Sequence, residues 1–338
     1  MSETASRHDD RPTAPEAGSR GAGRAPDQPT DLSRRSWWGV LRRTVREFRE
    51  DNLTDWAAAL TYYAVLSIFP GLLVLVSVLG LFGRSVIQPL IDNMGTIAPG
   101  PVGDILKTGA RSLTEAKGTA GVLAIVGLAG AVWSASGYVA AFMRASNAIY
   151  DVPEGRPIWK TLPIRLGVTL VVGLMLAVSA LMVVFTGRLA DRTGEALGAG
   201  SALLTAWSVV KWPILVVLVS LMFAILYWAS PNAKQGGFRW VTPGGLLAVV
   251  VWVAASAGFA FYVGNFGSYN KTYGALGGVI IFFVWLWISN LAVLLGAEFD
   301  AELHRGRAVA AGHPEDEEPF VELRDTRNVK EGQDTDLG

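Results

Sequence analysis

Six long apolar runs separated by short polar segments set the pattern of the chain: residues 57–82, 119–142, 166–187, 212–229, 244–266 and 275–296. A hydrocarbon layer about 30 Å thick takes about 20 helical residues to cross. Five runs reach that length. The fourth reaches it when extended back through 207–211, and Trp212 and Trp228 sit at its ends as interfacial anchors. No Asp, Glu, Lys or Arg interrupts the interior of a run. Six buried helices of a soluble protein would carry polar faces instead. The pattern predicts an all-α membrane protein, a bundle of six transmembrane helices.

The segments between and outside the runs carry patterns of their own. Residues 34–51 place Trp37, Val40, Leu41, Thr44, Val45 and Phe48 at helical spacing, with arginines on the other face. That predicts an interfacial amphipathic helix on anionic lipid, with binding to a partner protein as the second reading. In the first outer loop Val86, Ile87, Leu90, Ile91, Met94 and Ile97 recur at helical spacing before Pro99 and Pro101, and Ile105, Leu106 and Leu113 follow. Short amphipathic helices are expected there, packed over the bundle or serving as a lid. Residues 1–33 and 306–338 are poor in large apolar residues, and the latter hold Glu315, Asp316, Glu317 and Glu318. Both are expected as disordered tails. The division is therefore 1–33 tail, 34–51 interfacial helix, 52–305 six-helix membrane domain and 306–338 tail.

Basic residues orient the bundle. With the N-terminus inside, the inner segments hold 14 lysines and arginines near the runs and the outer loops 8, and Arg34, Arg35, Arg42, Arg43, Arg46 and Arg49 precede the first run. Both termini are expected on the cytoplasmic side.

Composition then removes several chemistries. The 338 residues carry a formal net charge of zero, 17% charged residues and no cysteine. No basic field points to nucleic acid. His8, His304 and His313 lie outside the apolar runs, and Asp55, Asp92, Asp104, Glu115, Asp151 and Glu154 are scattered over separate segments. A metal-dependent nuclease needs such ligands clustered. No Gly-rich phosphate loop is present. No catalytic residue, metal or cofactor is assigned, and the chain is not read as an enzyme.

Polar residues within the runs are the functional candidates, since in lipid they face other helices or a wet cavity. Tyr62, Tyr63, Ser67, Ser134, Ser136, Tyr262, Asn265 and Asn290 are assigned to a substrate pathway, with hydrogen bonding between helices as the alternative. Asp55, Arg144 and Glu298 flank the inner ends of the first, second and last runs, as a gate or a lock. No carboxylate lies inside a run, so no buried proton relay is expected.

The stretch from Asp55 to Pro70, DWAAALTYYAVLSIFP, resembles the opening motif of the YihY/BrkB family of bacterial inner-membrane proteins. Further matches follow in order: Trp133 to Gly137, Asn147 to Tyr150, Tyr227 before Pro231 and Asn232, Pro243 with Gly244, Tyr262 to Phe266, Tyr269 to Gly274, and Leu295 to Glu298. The resemblance spans about residues 40–305 and leaves out the tails. It implies a multi-pass protein of the bacterial cytoplasmic membrane. It also implies labels ranging from ribonuclease to virulence factor, and transport of lipid-linked molecules. Two function classes remain: a transporter- or flippase-like protein for a lipid-linked or amphipathic substrate, with membrane lipids as partners, or a non-transporting scaffold of the envelope.

Overall fold

A computed structural model describes residues 34–81, 120–184, 201–235, 237–238, 241–265, 275–315 and 317–329. Among them are seven helices: α1 (Arg34–Glu50), α2 (Leu53–Leu81), α3 (Ala120–Ile149), α4 (Ile158–Val184), α5 (Ser201–Ala229), α6 (Pro243–Asn265) and α7 (Ala275–Ala310). The chain is a membrane protein. Four of its helices, over Ile158–Val183, Leu204–Ala229, Pro243–Asn265 and Gly277–Ala310, are long and apolar enough to cross a bilayer. The N-terminal segment 1–33 and the helices expected in the first outer loop lie outside the described residues.

Each of α2 to α6 packs on the next in sequence, and α7 closes the ring on α2 while also touching α3. The ring contact between α5 and α6 is the sparsest. Neighbours alternate in direction, so the starts of α2, α4 and α6 share one end with the finishes of α3, α5 and α7. The core lies at that end. It contains Leu53, Ala57 and Leu60 of α2, Phe142 and Ala145 of α3, Leu226 and Tyr227 of α5, and Leu294 and Ala297 of α7. Phe142 and Phe223 stack on the two faces of Tyr227 at 6.2 and 6.0 Å. Toward the far end packing thins, and α6 buries only Gly244, Gly245 and Ala248.

Lipid offers apolar side chains as good a solvent as a neighbouring helix does, so close backbone approach and hydrogen bonds carry the association. The α6–α7 crossing illustrates this. A Cβ on Gly244 would lie 2.0 Å from the Gly296 carbonyl oxygen, and one on Gly296 would lie 2.8 Å from Ala248 Cβ. Asp300 of α7 accepts from the Gly244 N–H at 2.7 Å, and Thr242 Oγ1 accepts from the Gly245 N–H at 2.9 Å, so the start of α6 is capped twice.

α1 packs on α7 through Val40 against Phe299 and Leu303, flanked by Trp37. At 100° per residue, the exposed Trp38, Leu41 and Val45 form a neighbouring stripe that borders Arg42 and Arg49. The turns between helices use left-handed residues. Asn52 (φ 52°) separates α1 from α2. Asp151 (φ 50°) ends α3 in a Schellman turn, with Val152 N–H donating to Asn147 O and Asp151 N–H to Ala148 O.

Residues 306–338, expected as a disordered tail, depart from that expectation over their described part. α7 continues to Ala310 and ends at Gly312 (φ 104°) in a second Schellman turn. The chain then doubles back, and residues 313–329 lie as a strap across the packed end. Leu323 bridges Ala233, Lys234 N–H donates to Glu322 O, and Arg324 N–H donates to Asn232 O. Phe320 is buried beside Tyr150. The segment has few large apolar residues, and it is held through backbone bonds and its arginines, which composition does not reveal.

Candidate functional site

Asn290 sits ten residues before Asp300, about 15 Å inside the packed end at 1.5 Å per residue. It is buried, donates to Thr61 Oγ1 at 3.0 Å and accepts from the Tyr138 hydroxyl at 2.9 Å. Thr61 in turn donates to Ala57 O. This chain of bonds joins α7, α2 and α3, and it occupies both ends of the Asn290 amide. Of the two readings of that residue, bonding between helices is the one its contacts match.

The remaining residues assigned to a pathway divide into two groups. Tyr63 packs on Gly137, where a Cβ would stand 3.0 Å from its ring, and Tyr62 meets Tyr63 edge-on at 5.4 Å. Tyr62 is exposed and lies half a turn away from the buried Leu53 and Leu60, so it faces outward. Ser67 donates back to Tyr63 O, and Ser134 reaches Leu66 O at 3.4 Å. Ser136 is fully buried and accepts from Arg165 Nε at 2.8 Å, while that guanidinium also lies 5.1 Å over Trp133. These residues, with Asn290, stand at one level of α2, α3 and α7. Tyr262 and Asn265 do not join them. They occupy the far part of α6, about 28 Å from Pro243, where Tyr262 is half exposed and Asn265 donates to Phe261 O.

Asp55, Arg144 and Glu298 are not brought together. The first two are exposed, Glu298 is buried, and among the described residues no ion pair joins the three. Another network occupies the packed end. Arg43 pairs with Glu302 at 2.5 Å, and Arg305 reaches Glu47 at 3.4 Å, Glu302 at 3.7 Å and Glu318 at 3.0 Å. Glu298 meets Asp51, which follows α1. The absence of buried carboxylates expected from the apolar runs therefore does not extend to the end of α7, where Glu298, Asp300 and Glu302 are all buried. The apolar run stops before all three, and of them only Glu298 stood out in the sequence.

Beneath the strap lies a knot of hydrogen bonds. Asn232 is fully buried. Its N–H donates to Asn147 Oδ1, its amide donates to Pro153 O and Asp325 O, and its Oδ1 accepts from Asp325 N–H. Arg156, also buried, forms a two-pronged pair with Glu154 and donates to the carbonyls of Ala229 and Ser230, capping α5. Gly155 admits the strap, because a Cβ there would lie 2.0 Å from Asp325 O. Asn147 and Asn232 stood out as motif residues, and the structure joins them in this knot.

The charges at this end are tuned by their surroundings. Burial, with Glu47 next, pushes the Asp51 carboxyl up to about 7. Burial, with Glu318 next, pushes Asp151 up to about 7 as well. Hydrogen bonds from Arg327 and then Lys160 hold Asp325 well below the usual carboxylate range. Among the described residues, no group of three or more His, Cys, Asp or Glu is placed to hold a metal ion.

Two basic residues lie inside helices. Arg165 falls within α4, just ahead of the third run. Lys211 falls within α5, in the stretch by which the fourth run was extended, is buried, and lies 5.5 Å from the centre of the Trp212 ring. Its depth along α5, about 27 Å from Ala229, is close to that of Tyr262 along α6.

Comparison with known proteins adds the relationship. A family model described as virulence factor BrkB matches residues 44–319. The ribonuclease-like protein YfkH of Bacillus subtilis is 28% identical over 258 residues, covering 76% of this chain and 92% of that protein. A UPF0761 membrane protein of Alkalilimnicola ehrlichii is 31% identical over 271 residues, 76% of this chain and 56% of that protein. One of Alteromonas mediterranea is 30% identical over 266 residues, 77% of this chain and 85% of its own length. No solved structure matches the chain.

Proposed function

The chain belongs to the virulence factor BrkB family of integral membrane proteins, and on that premise we propose that it is a six-span, transporter- or flippase-like protein for an amphipathic or lipid-linked substrate. The observation that carries this reading is the unequal packing of the ring. One end is closed by the Asn147–Asn232 knot and the strap, while the α5–α6 contact is the sparsest of the ring. A sideways opening at that seam would suit a molecule with a polar head and a lipid tail. Lys211 on α5 and Tyr262 on α6 stand at similar depths along neighbouring helices and would offer a cation and an aromatic to an anionic head. A cation within a span is by default a residue of a substrate or ion pathway.

The six-span count rests on α2 and α3, whose 29 and 30 residues match the four apolar spans in length. The arginines of α1 and the basic residues after α3 stand at the packed end, which makes that end cytoplasmic and both termini internal. The membrane is the bacterial inner membrane. The ribonuclease-like name is the Bacillus relative's own, and among the described residues no group of three or more His, Cys, Asp or Glu is placed to hold a water-activating metal ion.

One observation favours the scaffold instead: the Thr61–Asn290–Tyr138 bonds consume the span polar groups internally. Native mass spectrometry of the gently extracted protein separates the two readings, comparing wild type with Lys211→Gln and Tyr262→Ala. A defined anionic or lipid-linked species retained by wild type and lost from both variants is the expected result. Bulk lipids bound equally by all three would establish the scaffold.

A further inference from the structure

Carboxylates crowd around Glu298 at the packed end. Glu298 is 1% exposed, and its Oε2 has no hydrogen-bond partner. The groups that face it and Asp51 are Glu47 and Glu50 from α1, Asp151 from the turn after α3, Glu302 from α7 and Glu318 from the strap. Tyr150 of α3 also lies within electrostatic reach of Glu298. The nearby cations are committed elsewhere: Arg43 to Glu302 and Glu315, and Arg305 to Glu47, Glu302 and Glu318. A buried carboxyl with one oxygen unpartnered, no cation beside it and a second carboxyl hydrogen-bonded to it is relieved by a proton held between the two.

We infer that Asp51 and Glu298 form a proton-binding site, and that release of its proton loosens the strap at Glu318. The proton leaves to water and adds one negative charge beside Glu47, Asp151 and Glu318. Repulsion then competes with the Arg305–Glu318 pair, which holds the chain just ahead of buried Phe320. Asp51, pushed up to about 7 by burial and Glu47, places the event near neutrality, and Asp151 moves with it. The strap is seated at the acidic side and released at the alkaline side. The site goes beyond the substrate reading and stands even if that reading fails.

The test uses the full chain in lipid nanodiscs, titrated from about pH 5.5 to about pH 8.5, a range that brackets a carboxyl raised this far. Infrared difference spectra follow the carbonyl band of a protonated carboxylic acid. Hydrogen exchange of residues 313–329, corrected for intrinsic rates, follows the strap. Wild type is expected to lose the acid band and gain strap exchange over the same interval. Glu298→Gln is expected to abolish the band, and Asp51→Asn to make strap exchange independent of pH. A wild type with no acid band, a band that survives in both variants, or strap exchange that stays constant would each overturn the inference. Should one variant fail to fold, the wild-type titration and the other variant decide.

Discussion

At the scale of single residues, polarity within a span marks where a bond is made, and the partner decides what the residue is for. Asn290 looked like a pathway residue because an amide in lipid is costly, and the cost is met by Tyr138 and Thr61. Asn290→Ala is expected to lower stability by about 1–2 kcal/mol. Two interhelical bonds at about 0.6 kcal/mol each are lost, and the Tyr138 hydroxyl is left buried without its acceptor. The check is a denaturation midpoint in detergent, and an unchanged midpoint would return Asn290 to the pathway. Asn232→Ala is expected to cost more, since three side-chain bonds at a fully buried site go together. That these asparagines mattered was legible in the motif. Their roles were not, because Asn232 finds its partners 85 and 93 positions away.

At the scale of elements, apolar run length located the four long apolar helices well, because crossing lipid demands an uninterrupted stretch. It located their packed ends poorly. The 36-residue α7 outlasts its apolar run because its last turns pack on α1 through Phe299 and Leu303 and carry Glu298, Asp300 and Glu302 inward. The strap escaped notice for a related reason: its seat is made by Gly155 and Asn232, far away in sequence. Gly155→Ala is expected to lift the strap while leaving the bundle intact, read as raised exchange over 320–329 with unchanged exchange in α2 and α3. Equal loosening of both would show that the strap and bundle form one cooperative unit.

The strap also has an acid limit. Asp325 is held below its ordinary range by Arg327 and Lys160, so its contribution is present above the unfolded value of about 3.9 and is lost as pH falls through its own lower value. Asp51 and Asp151 act in the opposite sense. Their raised values favour the folded end in acid, and that support disappears as pH climbs from the ordinary carboxylate range to about 7. Strap protection is therefore expected to peak in mild acid. A monotonic profile would contradict the assignment of one of the two groups.

At the scale of the whole molecule, the motif residues Asn147, Tyr227, Asn232, Gly244 and Glu298 gather at one end, while Lys211 and Tyr262 stand toward the other. The bundle and its membrane location were legible as a pattern of runs. The asymmetry between its ends was not, since it arises from which neighbours touch. The chain contains no cysteine, so single cysteines report their surroundings without a background. The most direct measurement is labelling of Tyr262→Cys, Asn265→Cys and Asn232→Cys in intact cells and in inverted vesicles with a membrane-impermeant thiol reagent. The account predicts that positions 262 and 265 react from outside and that position 232 stays protected from both sides while the strap is seated. Reaction of position 232 from outside, or protection of 262 and 265 in both preparations, would contradict a bundle sealed at its cytoplasmic end and open at the other.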